Sequence, residues 1–85
     1  MNEVTVRMYT LSTCSHCRRT KEFFRNQGID FEFVDVDLLT GDERHAVIER
    51  VRKLNPRVSY PTILIGDTVI VGFQEREIRE ALGLS

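Results

Sequence analysis

The chain has 85 residues, of which 41% are hydrophobic and 29% charged, a composition typical of one small folded domain. Its 12 basic and 13 acidic residues nearly cancel to a net charge of −1, which argues against nucleic acid or an anionic membrane as a partner. Residues 1–9 lack the layout of a secretory signal, and no stretch approaches the roughly 18 apolar residues needed to span a bilayer. We expect a single monomeric domain over residues 1–85, with no nucleic-acid or membrane partner.

The chain contains two cysteines, Cys14 and Cys17, with two residues between them. A secreted domain of this size usually carries several disulfides, whereas one close pair in an intracellular chain more often binds a metal or carries out redox catalysis. We therefore expect the protein to be cytoplasmic.

The first predicted elements are a strand and a helix. Polar and apolar residues largely alternate over residues 4–9, the period of two that is typical of a strand. Apolar or small residues then recur at helical spacing over residues 14–27, and Gly28 suits the left-handed residue that closes a helix. The sequence thus predicts that Cys14 begins the first helix.

A second strand and a second helix follow. Residues 29–36 are rich in aromatic and β-branched side chains, which favours a strand parallel to the first. Thr40 and Glu43 form a predicted capping box at the start of the second helix, and Pro56 requires this helix to end by Asn55. A domain this small needs its aromatic side chains in the core. We expect this of four residues, Phe23, Phe24, Phe31 and Phe33.

The last elements are a hairpin and a third helix. Residues 62–65 and 68–71 are two short strands around the turn Gly66-Asp67, and a helix over residues 74–82 ends at Gly83. The order β-α-β-α-β-β-α predicts an α/β fold, with one mixed four-stranded sheet flanked by three helices on both faces. Reactive groups in such sheets gather beyond the carboxyl ends of the strands, where Cys14 lies.

The position of Cys14 predicts a reactive thiol. Unpaired N–H groups and the positive end of the helix dipole at a first helical turn favour thiolate over thiol. Cys17 follows one turn later on the same helix face, so it can attack a mixed disulfide formed at Cys14. We predict that Cys14 is the nucleophile and Cys17 the resolving thiol, with Thr13, Ser15 and His16 as supporting residues.

Two other interpretations of the cysteine pair remain open. A structural disulfide gains most from closing a long loop, and this loop is minimal. A zinc site needs about four ligands, whereas only Cys14, Cys17 and His16 are near one another in the sequence. We therefore predict no metal ligands, and keep a metal or iron–sulfur binding module as an alternative function.

Two further groups of residues could take part in the site. Tyr60-Pro61 precedes a buried strand, a position where a cis bond is accessible because proline lowers the cis penalty to about 0.5–1 kcal/mol. Asp35 and Asp37 are interpreted as polar groups at a strand end, although a carboxylate near Cys17 could accept its proton.

Taken together, the motifs resemble those of the glutaredoxins, which have the thioredoxin-like fold, over about residues 4–82. The most specific elements are Tyr9-Thr10, Cys14 to Cys17 followed by Arg19 and Lys21, Tyr60-Pro61-Thr62, and Gly72. The resemblance implies a thiol-disulfide oxidoreductase that reduces protein disulfides or mixed disulfides. It also implies no tightly bound cofactor, with glutathione as a candidate reductant.

The resemblance further assigns a substrate or glutathione site to Tyr60, Pro61, Gly72 and Phe73. Pro61 would be cis and face the cysteines, and Tyr60 would offer its backbone N–H and C=O to an extended substrate, as in strand addition. Gly72 would allow close approach of that substrate. The implied partners are proteins with disulfides, or glutathione.

Two departures from the glutathione-using members open a second functional alternative. Those members usually have a lysine where this chain has Leu11, and Gly-Gly followed by an acidic pair where it has Gly72-Phe73. Glutathione contacts would then have to come from elsewhere, such as Arg57 or the start of the third helix. The Gly-Phe pair is closer to the glutaredoxin-like hydrogen donors of ribonucleotide reductase, which are recharged by the flavoprotein thioredoxin reductase. His16 lies between the two cysteines, where glutaredoxins commonly have Pro-Tyr. A histidine there can stabilise the reduced thiolate and make the disulfide more oxidising, which leaves a disulfide oxidant as a further alternative.

Overall fold

A computed structural model describes residues 4–84 of the chain. It contains four strands, three α-helices and one short 3-10 turn. In chain order they are β1 Val6–Thr10, α1 Ser15–Asn26, β2 Glu32–Asp35, the 3-10 turn Val36–Leu38, α2 Gly41–Leu54, β3 Thr62–Ile65, β4 Thr68–Val71 and α3 Glu75–Leu82. The predicted order of strands and helices is confirmed.

The strands form one mixed sheet in the order β2-β1-β3-β4. β1 runs parallel to β2, with Thr10 opposite Asp35, and antiparallel to β3, with Tyr9 opposite Thr62. This register brings the carboxyl ends of β1 and β2 beside the amino end of β3. The loops that carry the cysteines and Pro61 therefore lie at one edge of the sheet.

Alternation along β1 divides the core between the two faces of the sheet. Met8 belongs to a first cluster with Phe24 of α1 and Ile78 of α3, whereas its neighbour Tyr9 belongs to a second cluster with Val51 of α2. Successive strand side chains point to opposite faces, so α1 and α3 cover one face and α2 covers the other. The predicted helical layers on both faces are confirmed.

The second strand is shorter than the sequence predicted. It begins at Glu32 rather than residue 29, because the amide of Ile29 donates to the carbonyl oxygen of Phe24 at 2.9 Å and completes the end of α1 through the left-handed Gly28, φ 68°. It ends at Asp35, and Val36 turns into the 3-10 segment.

The predicted capping box is wrong: Thr40 caps α2 in the described structure without a side-chain hydrogen bond.

The prediction that all four phenylalanines lie in the core is wrong for Phe33, which is 42% exposed. Its strand is an edge of the sheet, so α1 covers the ring only partly. The Lys21 ammonium lies 4.0 Å from the centroid of the Phe33 ring. The ring centroids of Phe33 and Phe31 are 6.0 Å apart. A cation and an aromatic ring therefore meet at this edge.

Within residues 4–84, none of the helices combines the length and the apolar character that crossing a bilayer requires.

Candidate active site

Cys14 lies at the amino end of α1, as the sequence predicted. Its backbone is extended, with φ −84° and ψ 122°, and its carbonyl oxygen accepts the amide of Arg18 at 3.1 Å, the first bond of the helix. Its own amide donates to the carbonyl oxygen of Leu11 at 3.2 Å, which closes a tight turn before the helix. The thiol is half-buried, so it can contact a partner molecule from solvent.

The surroundings of Cys14 favour its thiolate. Burial raises the pKa of this thiol, but the N–H and thiol groups of Cys17, the N–H of His16 and the charge of Arg18 together bring that pKa below its ordinary value. The two N–H groups are unpaired donors of the first helical turn. The local backbone thus acts in the direction that the sequence predicted.

Cys17 has the opposite environment. Its side chain is fully buried, and the amide of Leu11 donates to its sulfur at 3.5 Å. Burial raises the pKa of Cys17 to about 12, although the amide of Leu11 and the charge of Lys21 oppose this shift. The neighbouring thiol Cys14 raises this pKa further, because two adjacent thiolates repel each other.

The three predicted supporting residues surround Cys14 with exposed side chains. His16 acts on the thiol through its backbone N–H. The main groups that lower the pKa of Cys14 are backbone donors and Arg18, and the Ser15 hydroxyl is not among them. Supporting roles for Thr13 and Ser15 stay predictions.

A loop over residues 55–61 leads into β3, and the side chain of Asn55 makes most of the loop's side-chain hydrogen bonds. This side chain is 5% exposed, and its Nδ2 donates to the Ser59 carbonyl oxygen at 3.2 Å, to Ser59 Oγ at 3.0 Å and to Thr62 Oγ1 at 3.1 Å. Its Oδ1 accepts the amide of Arg57 at 3.2 Å. One buried amide therefore ties the loop to the start of β3.

The same loop contains a strained residue. Val58 has φ 51°, a left-handed conformation that a β-branched side chain rarely adopts. Its amide donates to the Asn55 carbonyl oxygen at 2.9 Å, and its side chain packs on the second core cluster. The loop is held in one conformation against a cost of about 1–2 kcal/mol.

The bond between Tyr60 and Pro61 is cis, as the resemblance implied, and Pro61 is fully buried. Tyr60 packs on the second core cluster, and its pKa is raised chiefly by burial and also by the charge of Cys17. Because Thr62 pairs with Tyr9, this loop and the loop that carries the cysteines lie at the same edge of the sheet.

The two remaining residues of the predicted binding site follow β4. The amide of Gly72 donates to the Pro61 carbonyl oxygen at 2.8 Å, and Gly72 has φ 83°, so its left-handed backbone favours glycine. Phe73 is half-buried on the first core cluster, with its ring centroid 5.8 Å from that of Phe23. Substrate contacts at both residues stay predictions.

Two anchoring contacts near the cysteines were missed by sequence reasoning. Asp37 accepts Ser12 N at 2.8 Å and Ser12 Oγ at 2.5 Å, which holds the loop before Cys14. Asp35 accepts Thr10 Oγ1 at 2.5 Å and the ammonium of Lys21 at 3.0 Å. The two carboxylates at a strand end were a visible signal, but their partners come from distant positions in the chain.

Among residues 4–84, no three or more His, Cys, Asp or Glu side chains come together in a group that could hold a metal ion.

Comparison with known proteins assigns the chain to a family. Residues 6–70 match the family model of glutaredoxin. The chain belongs to the glutaredoxin family. This glutaredoxin is 34% identical over 73 residues to a glutaredoxin-like 8.6 kDa protein in the rubredoxin operon of Clostridium pasteurianum, a match that covers 86% of this chain and 91% of that protein.

Solved structures agree with this assignment. The methanoredoxin of Methanosarcina acetivorans superposes with a TM-score of 0.89 at 48% identity, covering 94% of this glutaredoxin and 85% of that chain. A glutaredoxin from Methanosarcina mazei Go1 superposes with a TM-score of 0.86 at 51% identity, covering 94% of this glutaredoxin and 79% of that chain. The predicted thioredoxin-like fold is confirmed.

The two thiols of this glutaredoxin should react with alkylating reagents over different pH ranges. Because the pKa of Cys14 is lowered, its alkylation by iodoacetamide should reach half its maximal rate below the ordinary value of about 8.5. Because Cys17 is buried and its pKa is about 12, it should stay unmodified across that range. Peptide mass spectrometry after timed alkylation of the reduced protein measures both rates.

The variant Cys17→Ser is the control for this experiment, since it isolates the reaction of Cys14. Equal modification of both thiols near neutral pH would contradict the different environments described for them.

Proposed function

We propose that this glutaredoxin is a thiol-disulfide oxidoreductase that reduces protein disulfides or mixed disulfides through a dithiol mechanism. The observation that carries the proposal is the opposite character of two thiols one helical turn apart. Cys14 is half-buried with a lowered pKa, and Cys17 is buried with a pKa raised to about 12. The first suits a nucleophile, and the second suits a thiol that stays protonated until it is needed.

The reaction proceeds in two exchanges. The Cys14 thiolate attacks a substrate disulfide, forms a mixed disulfide with one substrate sulfur and releases the other as a thiolate. Cys17 then attacks Cys14, the bond to substrate breaks, and the proton lost by Cys17 ends on the released substrate thiol. The substrate gains two electrons, and the protein keeps a disulfide between Cys14 and Cys17.

The proposed substrate site lies along the loop before β3. Tyr60 would pair its backbone with an extended substrate segment, beside Pro61 and Gly72, and Phe73 would border the segment. Support comes from the hydrogen bond between Gly72 and Pro61 and from the pairing of Thr62 with Tyr9, which puts this loop at the edge of the sheet that carries the cysteines. Pairing through the backbone depends little on sequence, so several protein disulfides would fit.

Glutathione is one candidate electron source, as is general for this family. A second candidate is recharging by a thioredoxin reductase-type flavoprotein, which would make the protein a hydrogen donor to a reductase such as ribonucleotide reductase. One observation favours the second: Leu11 packs on the second core cluster, in the position where glutathione-using members carry a lysine. An exchangeable dithiol fits a reducing compartment, so we retain the cytoplasm as its location.

The proposal predicts that the reduced protein loses both thiols to a disulfide substrate. Mixing it with excess insulin, a protein with accessible disulfides, should consume two thiols per chain and leave an intramolecular disulfide, counted by mass spectrometry after alkylation. Incubating the oxidised product either with glutathione and its reductase or with thioredoxin reductase then identifies the donor that restores both thiols. A chain that retains both thiols in the first reaction would refute the proposed reductase activity.

A further inference from the structure

A partly buried ion pair lies beside the resolving thiol. The ammonium of Lys21 is 3.0 Å from Asp35 Oδ1, and the two side chains are only 12% and 15% exposed. The same oxygen accepts the hydroxyl of buried Thr10 at 2.5 Å, and the ammonium lies 4.0 Å from the centroid of the Phe33 ring. Removing two charges from water is costly, so such a pair is weak evidence for stability and calls for another explanation.

The pair and the thiol of Cys17 share one corner of the fold. Lys21 follows Cys17 by four residues on α1, which puts both on one helix face. Thr10 is opposite Asp35 in the sheet, and the next residue, Leu11, donates its amide to the Cys17 sulfur at 3.5 Å. Contacts from α1 and β2 thus fix the cation one helical turn from the buried sulfur of Cys17.

Other ionisable groups also face this sulfur. Cys14 lies on the same helix, and Tyr60 approaches from the loop before β3. Asp37, from the 3-10 turn, is occupied by the backbone and hydroxyl of Ser12. Among residues 4–84, Lys21 is the cation that shares a helix face with Cys17, and its charge favours the thiolate.

The resolving step of the proposed function creates a need for such a charge. Cys17 must lose its proton to attack Cys14, yet burial holds its pKa near 12. Asp35 Oδ1 accepts both the Lys21 ammonium and the Thr10 hydroxyl, so this carboxylate holds the cation in place. A fixed cation in this corner can stabilise the thiolate that Cys17 forms before it attacks.

We propose that Lys21 is a positioning residue for the resolving step: its ammonium, held by Asp35 and Phe33, stabilises the thiolate that Cys17 forms as it attacks the mixed disulfide. The inference rests on the proposed dithiol function. In the step, the bond between Cys17 and Cys14 forms, the bond between Cys14 and the substrate sulfur breaks, and the proton ends on the released thiol.

The expected size of the effect follows from thiol chemistry. Each unit by which the pKa of Cys17 rises cuts its thiolate fraction tenfold. The more basic thiolate reacts faster, by a factor of about 10 to the power 0.4–0.5. The net loss in rate is about three- to fourfold per unit. This loss falls on the second exchange only.

A chromophoric disulfide, 5,5′-dithiobis(2-nitrobenzoate), separates the two exchanges. Reduced protein mixed with one equivalent releases one coloured thiolate when Cys14 attacks and a second when Cys17 resolves, so stopped-flow absorbance gives both rates. The coloured thiolate is too acidic to hold the proton, which passes to buffer. A wild-type protein that shows no second release would refute the dithiol function itself, before any variant is tested.

Two variants with opposite charge changes test the role of Lys21. Lys21→Met should slow the second phase about three- to fourfold per pKa unit and move its pH midpoint upwards. Asp35→Asn keeps an oxygen that can accept from the ammonium of Lys21 but removes the negative charge that offsets it, so this variant should accelerate the second phase and move its pH midpoint downwards. Arg25→Met is the matched control, since Arg25 also lies on α1 over an aromatic ring, 5.8 Å from the centroid of Phe31, and both phases should stay unchanged.

A purely structural ion pair would give a different pattern. Loosening the corner would change the second phase in the same direction in Lys21→Met and Asp35→Asn, without opposite shifts of the midpoint. That result, or a second phase in Lys21→Met equal to that of the wild type, would overturn the inference. Thermal unfolding of each variant identifies the temperature range in which the folded forms are compared.

Discussion

Cys14→Ser is expected to reduce disulfide-reducing turnover to the background rate, because a serine hydroxyl does not ionise near neutral pH. The backbone donors at the start of α1 lower the pKa of the wild-type thiol by stabilising its anion, and they have no anion to stabilise in the variant. Cys17 should not replace the missing nucleophile, since it is fully buried and its pKa is about 12.

Cys17→Ser is expected to give a different result. The nucleophile remains, so the first exchange should proceed and stop at a covalent adduct between Cys14 and the substrate sulfur. Non-reducing gel electrophoresis with a protein disulfide substrate should show the adduct in this variant and in neither the wild type nor Cys14→Ser.

Full turnover by Cys14→Ser would reverse the assigned roles. An adduct in Cys14→Ser combined with none in Cys17→Ser would lead to the same conclusion. Serine is close to cysteine in size, so both variants should fold, and circular dichroism checks this before activity is compared.

Asn55→Ala is expected to destabilise the fold by about 2–3 kcal/mol, because removing one partner from a buried hydrogen-bonded set leaves the other groups unpaired. The amide of Asn55 donates to the Ser59 carbonyl oxygen at 3.2 Å and to Thr62 Oγ1 at 3.1 Å. Its loss also removes support from Val58, whose left-handed backbone, φ 51°, is unfavourable by itself.

Thermal unfolding measures this cost directly. In a domain of this size each kcal/mol lowers the Tm by roughly 4–8 °C, so the expected loss is easily resolved. Since the loop carries Tyr60 and Pro61, we also expect a lower kcat/KM for protein disulfides, while alkylation of Cys14 by a small reagent stays close to the wild-type rate.

Asn26→Ala is the matched control, because Asn26 is an exposed asparagine at the end of α1 and its loss should change stability by less than about 0.5 kcal/mol. An Asn55→Ala protein with the Tm of the wild type would show that the loop does not depend on this amide.

Local sequence patterns were sufficient to predict an element where a residue type restricts the backbone to few conformations. The alternation before Cys14, the stop at Pro56 and the turn Gly66-Asp67 predicted the element order, because each restricts the backbone within a few residues. The same patterns extended the second strand too far at both ends. Its true bounds depend on how α1 ends and on which residues pair with β1, and local propensity contains neither.

In the candidate site too, local sequence predicted some features, whereas others depended on tertiary contacts. Placement of Cys14 at a helix start predicted the direction of its pKa shift, since the donors responsible are its own next residues. The exposure of Phe33 could not be predicted in this way, because its strand could equally have been central in the sheet. The burial that raises the pKa of Cys17 was also hidden, since it depends on the packing of the whole fold around this side chain.

The sequence by itself determined the order of the elements and predicted a reactive thiol at Cys14, because both depend on residues close together in the chain. Tertiary structure alone decided which carboxylate holds Lys21, how Asn55 ties its loop to β3, and why the second thiol resists ionisation. The physical reason is distance along the chain: burial and ion pairing act between atoms that only the folded sheet brings into contact.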